Sequence, residues 1–137
     1  MKILFDLGNG GRDKSWLRKS RVLGLAIRPL LKAAVLIDQL YLQLHPEVPL
    51  LYHSGVVYRE EDLTKGYEDF AIVPAILRRG HGDCDDLGPW RCAELRNSGE
   101  NADIRVEWKK TRKGKLYHIV VRRGNGTIED PSKILGM

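Results

Sequence analysis

The longest patterned run of apolar positions begins after Pro29. Leu30, Ala33, Ala34, Ile37, Leu40, Tyr41 and Leu44 recur at i, i+3, i+4 and i+7 intervals, the stripe of a buried helix. Pro29 is placed to start that helix and Pro46 to stop it. An interfacial membrane helix is the rival reading, but its polar positions, Lys32, Asp38, Gln39 and Gln43, are few and not lysine-rich.

After Gly99 the period changes to two. Ile104, Val106 and Trp108 alternate with Arg105 and Glu107, a basic turn follows over 109–115, and an apolar run occupies 116–123. This predicts two antiparallel strands. Gly124-Asn125-Gly126 turns the chain into a third strand, Thr127-Ile128-Glu129-Asp130, which Pro131 closes. Upstream, Leu87, Arg91, Ala93, Glu94 and Leu95 favour a helix from Cys84 to Arg96 that ends at Asn97-Ser98-Gly99. Residues 1–20 read as a strand or extended arm followed by a glycine-rich turn, and 46–66 as loop with a short strand near Gly55 to Tyr58. Residues 67–77 suggest a short helix broken by Pro74, and 78–82 a turn into Asp83-Cys84-Asp85-Asp86. The predicted class is α+β.

A length of 137 residues, 42% apolar and 30% charged, fits one soluble globular domain with a real core. The domain divides into an N-terminal arm and helix, 1–47, and a core of 48–137. A formal charge of +5 biases the surface toward anionic partners without making the chain a nucleic-acid binder. The basic stretch Trp108 to Lys115 is the candidate nucleic-acid hairpin, yet charge runs at strand tips are ordinarily solvated turns. Cys84 and Cys92 lie eight residues apart, about 12 Å along a helix, too far for a disulfide. Both are expected as free thiols in a reducing compartment. Asp6 interrupts the apolar start, so no signal peptide is expected. Arg28, Lys32 and Asp38 break the 22–44 region as a membrane span.

A cysteine at a helix start has its thiolate stabilised by backbone N–H groups and the helix dipole. Asp83, Asp85 and Asp86 oppose this by charge repulsion, so a nearby imidazolium is required. His118 could supply it if Asp130 orients the ring, and the turn at 124–126 decides that. A two-residue hairpin at Asn125-Gly126 would pair Val121 with Asp130 and put the acid on the face opposite His118. A three-residue loop with Gly126 left-handed would pair Arg123 with Thr127 and Val120 with Asp130, making Asp130 a diagonal neighbour of His118. The functional reading requires the second register. It makes Cys84 the nucleophile, His118 the base and Asp130 the orienting acid for attack on an amide or ester carbonyl. The Cys84 N–H would hold the oxyanion. Gln39 and Gln43, the only glutamines, fall on the buried helix, so no second donor is assigned.

At Gly80-His81-Gly82-Asp83-Cys84-Asp85-Asp86-Leu87, Trp90-Arg91-Cys92-Ala93-Glu94-Leu95-Arg96 and His118-Ile119-Val120-Val121-Arg122-Arg123-Gly124-Asn125-Gly126-Thr127-Ile128-Glu129-Asp130-Pro131, the chain resembles the transglutaminase-like superfamily. It is most similar to the short members encoded by bacteriophages and prophages. The resemblance covers roughly residues 48–137. It implies a papain-like α+β core, a nucleophile helix packed on a small antiparallel sheet, with an additional N-terminal helix. It further implies Cys84, His118 and Asp130 as the matching triad and amide hydrolysis more often than cross-linking; no cofactor or metal is expected. Gly88-Pro89 departs from the helix-forming pair usual after the Asp-Leu of such motifs; in a helix that begins at Cys84, Pro89 removes a backbone hydrogen bond and kinks it.

The expected partner is a peptide or protein substrate. The setting is the host cytoplasm during expression, or the virion if the chain joins other phage proteins. The main rival is a bacteriophage virion or assembly protein that keeps the fold with a vestigial triad. A zinc site from His81, Cys84, Cys92 and His118 lacks any recognised metal spacing.

Overall fold

The computed structural model describes residues 3–6, 15–61, 67–111 and 114–137, with side chains described over 25–61, 69–109 and 117–137. The architecture is mixed α+β. Among the described residues the order is β1 (Ile3–Asp6), α1 (Ser15–Leu44), a short 3-10 helix (Leu51–His53), β2 (Val57–Tyr58), β3 (Tyr67–Phe70), α2 (Val73–Arg79), β4 (His81–Gly82), α3 (Cys84–Asn97), β5 (Asp103–Thr111), β6 (Gly114–Arg122), β7 (Ile128–Glu129) and α4 (Pro131–Ile134). The glycine-rich turn expected near residues 8–12 lies outside the described residues. No helix among them is long and apolar enough to cross a membrane.

Helix α1 begins at Ser15 and contains Pro29, which corrects the expectation that Pro29 starts it. A proline inside a helix costs about 3 kcal/mol. Burial on either side offsets that cost, because Ile27 and Leu31 are fully buried against Phe70, Val106 and Ile119, at about 1.5–3 kcal/mol each. The buried face also differs from the expected one. Ile27, Leu31, Ala34, Val35 and Asp38 are buried, whereas Leu40 and Leu44 are exposed. Apolar residues nearly surround the helix between 30 and 44, so their period identifies a helix without selecting a face. Packing selects it: Val35 meets Cys92, Ala93, Leu95 and Val121.

Residues 67–70 form β3, antiparallel to β1 with Ile3 opposite Phe70, and Pro74 sits in the first turn of α2. This replaces the expected helix broken by Pro74. The missing N–H of a proline is harmless in a first turn, and Asp38 of α1 accepts the neighbouring Val73 N–H at 3.0 Å. Gly80 closes α2 with φ +72°, and β4 then pairs in parallel with β2, Tyr58 opposite Gly82.

Helix α3 runs on through Pro89, with Cys84 as its first residue, so Pro89 does not detach Cys84 from the helix. Gly88 explains how the helix lies so close to the sheet. A Cβ there would stand 2.7 Å from Ile119 Cγ2, closer than van der Waals contact allows.

The three-stranded sheet has the order β5-β6-β7. The expected basic turn over 109–115 is largely ladder, with Lys109 opposite Leu116 and Lys110 opposite Lys115. At the following turn Val121 pairs with Glu129 and Arg122 with Ile128. Arg123 N–H donates to Thr127 O at 2.8 Å, Gly126 N–H to Arg123 O at 2.9 Å, and Gly126 has φ +85°. This is the three-residue loop with a left-handed glycine, and it aligns Val120 with Asp130.

Candidate active site

Asp130 leaves β7 on the same face as His118, and His118 Nε2 lies 2.8 Å from Asp130 Oδ2. Both side chains are largely shielded, 13% and 16% exposed. The other carboxylate oxygen, Oδ1, accepts the Lys133 N–H at 3.2 Å and caps α4. Two fixed bonds thus orient one carboxylate, and its bond to Nε2 leaves Nδ1 as the basic nitrogen of a neutral imidazole.

Cys84 is partly buried at the first position of α3. It packs with Tyr117, the residue before His118, against the Ile27, Leu31, Phe70, Val106 and Ile119 cluster. One turn further along, Gly88 meets Ile119, the residue after His118. The structure therefore joins His118 directly to Asp130 and seats Cys84 on the helix end packed beside that stretch of β6.

The three acids around Cys84 are not three equivalent negative charges. Asp86 Oδ1 accepts the Ala71 N–H at 2.7 Å, and Oδ2 accepts from Arg79 Nη2 and the Asp83 N–H. Arg79 also reaches Asp69 at 3.6 Å. Asp85 is 1% exposed and its Oδ2 accepts the Tyr117 hydroxyl at 3.0 Å. Burial first, then hydrogen bonding to Asp83 and the charges of Asp83, Asp86 and Cys84, pushes the Asp85 carboxyl well above its ordinary range. Oδ1 of Asp85 and Oδ1 of Asp83 are both buried without a partner. Protonation of Asp85, which its burial favours, removes one charge from beside the thiol.

The sequence reading did not single out Tyr58 or Tyr117. Tyr58 belongs to β2, alongside the β4 segment that leads into Cys84. Burial, with the charges of Cys84, Glu60, Asp83 and Asp85, pushes its phenol up to about 12, so it stays a hydrogen-bond donor at neutral pH. Only contacts between distant segments mark these tyrosines, and no local motif carries them. Gln39 and Gln43 both reach Asn97, at the far end of α3 from Cys84. Gln43 is exposed and Gln39 half-buried, and both lie on α1 as expected.

Behind the site a charged network fastens β7 to α3. Glu129 accepts from Tyr52 at 2.5 Å and Arg91 at 2.6 Å, and from Arg123 at 2.5 Å. Arg123 grips Glu100 with two bonds, 2.6 and 2.8 Å. Arg91 also pairs with Glu94, whose Oε1 accepts the Leu51 N–H. Such two-pronged guanidinium contacts hold geometry as well as charge.

Among the described residues, the group of side chains close enough to share a cation is Asp83, Asp85 and Asp86, with one oxygen from each within 4.8 Å of the others. The Asp86 oxygens are already engaged, and His81, Cys84, Cys92 and His118 do not converge as a zinc set. No family model, curated protein or solved structure matches the chain.

Proposed function

We propose that this chain is a cysteine-dependent amide hydrolase or acyl transferase on a papain-like, transglutaminase-like core. Cys84 is the nucleophile, His118 the base and Asp130 the orienting acid. The observation that carries this reading is the 2.8 Å contact between His118 Nε2 and Asp130 Oδ2, which serves a neighbouring thiol by keeping Nδ1 basic and stabilising the imidazolium.

In this reading His118 Nδ1 takes the Cys84 thiol proton, and Sγ attacks the carbonyl carbon of a peptide or carboxamide. The Cys84 N–H, in the first turn of α3 where intrahelical acceptors are lacking, holds the oxyanion. The Tyr58 hydroxyl supplies a second donor. Collapse breaks the C–N bond, and the amine leaves with the proton from His118. Water or a second amine, deprotonated by His118, then attacks the thioester and releases Cys84.

The test is the rate of Cys84 alkylation by iodoacetamide against pH, in the parent and in His118→Ala, both carrying Cys92→Ala. The expected thiol pKa lies below the ordinary value of about 8.5 in the parent and rises when His118 is lost. A thiol that titrates ordinarily in both proteins, or reacts in neither, overturns the enzyme reading. That result would favour a virion or assembly protein that keeps the fold with a vestigial triad.

A further inference from the structure

Among the described residues, helix α1 leaves one apolar face uncovered between Leu25 and Leu44. Leu25 is 79% exposed, Leu36 61%, Leu40 58% and Leu44 67%. Pro29 is also exposed and Ala33 partly so. At 100° per residue these six positions fall within one side of the helix, opposite the buried stripe of Ile27, Leu31 and Val35. Lys32, Gln39 and Gln43 lie along one edge of the face, and a contiguous exposed apolar patch of this kind marks an interaction site.

The spacing along this face points to its occupant. Positions 25, 29 and 33 recur eleven residues later as 36, 40 and 44. An eleven-residue repeat departs little from the period of the α-helix, so a second helix stays in contact along the face, roughly 28 Å at 1.5 Å per residue. The steps between successive positions are 4, 4, 3, 4 and 4, identical from either end. A two-fold antiparallel arrangement therefore sets Leu25 against Leu44, Pro29 against Leu40 and Ala33 against Leu36 of the other copy. Each small side chain meets a large one. Parallel pairing would oppose Ala33 to Ala33 and Pro29 to Pro29, leaving hollows at mid-helix, and would align the two helix dipoles unfavourably.

We infer that the Leu25, Leu36, Leu40 and Leu44 face of α1 seats a second copy of this chain, packed antiparallel about a two-fold axis between residues 34 and 35. Such a contact is isologous, with the same patch supplied by both copies. Four leucines exposed to this extent offer on the order of 500 Å² per copy, so the pair buries roughly 1,000 Å², the lower bound for a specific interface. The inference is independent of the chemistry proposed for Cys84, because the face lies on α1 and uses none of the triad.

Sedimentation velocity of the full chain across the micromolar range tests it. The parent should sediment at twice the 15.6 kDa chain mass, and Leu36→Glu with Leu40→Glu should sediment as a monomer at every concentration. Both substituted side chains are exposed, so the melting temperature should stay within a few degrees; Leu40→Gln alone should weaken the dimer if the double variant folds poorly. Leu25→Glu should weaken association at least tenfold. Adding Leu44→Lys in the same chain should restore it at low salt, because residue 25 faces residue 44 of the other copy. A monomeric parent, or a dimer indifferent to Leu36→Glu with Leu40→Glu, overturns the inference. Failure of Leu44→Lys to rescue Leu25→Glu overturns the antiparallel register.

Discussion

Asp130 follows directly on β7, the strand beside that of His118 and two ladder positions along, and the two side chains close that diagonal to 2.8 Å. The carboxylate has a second task, accepting the Lys133 N–H as the cap of α4. Support of the imidazole and closure of the C-terminal helix therefore depend on one side chain, and substitutions can separate the two.

Asp130→Asn keeps an oxygen for the cap and should melt within a degree or two of the parent. It removes the negative charge beside His118, so Cys84 alkylation at neutral pH should slow about tenfold, equivalent to one pKa unit or 1.36 kcal/mol. Asp130→Ala should show the same slowing and also lose about 1 kcal/mol of stability with the cap. Thermal melts alongside alkylation rates check both effects.

Cys92 should be silent in the native protein. It is fully buried, and burial pushes its thiol up to about 11. A thiol reagent should label Cys84 alone under native conditions, and Cys84→Ala should label only after denaturant is added. Mass spectrometry of the labelled chains reads the outcome directly.

Gly88→Ala should destabilise the fold although alanine is the better helix former by up to about 1 kcal/mol. The added methyl would stand 2.7 Å from Ile119 Cγ2, and overpacking of this kind costs roughly 1–3 kcal/mol. In urea titrations the double variant with Ile119→Ala should lose less than the sum of the single losses, by at least about 0.5 kcal/mol.

Asp38 should give the stability a pH dependence. Its Oδ1 accepts the Val73 N–H, its Oδ2 is buried without a partner, and burial raises its pKa from 3.8 to about 7. Because the folded value is the higher one, the folded state holds the proton that the unfolded state releases between these limits. Stability therefore falls as pH rises from about 4 to 7 and levels off above that. The stability difference between the parent and Asp38→Asn, from urea titrations at several pH values, should fall by a few kcal/mol across that window. A difference that does not change with pH would remove Asp38 as the cause.

Much of this protein was legible residue by residue. The period of two in Ile104, Val106 and Trp108 marks β5, the capping and helix-forming residues after Asp83 place Cys84 at a helix start, and Gly126 makes the three-residue turn available. Each signal acts over a few positions, where backbone sterics and hydrogen bonding are decided by neighbours in the chain. What could not be read were choices between locally equal alternatives. Two turn lengths were open at 124–126, and the pairing of Arg123 with Thr127 selected the one that brings Asp130 to His118.

By itself, then, the sequence determined an α+β chain, the strand periodicities, the helix that begins at Cys84 and the residues available for a triad. Tertiary structure decided that α1 continues through Pro29, which face of it is buried, that residues 67–70 become a strand against β1, and that Asp38, Asp85 and Asp86 lie inside. The reason is physical: burial is a property of two surfaces, and a helix apolar on nearly every side acquires an inside only when Phe70, Val121 and Val73, far along the chain, arrive to cover one part of it.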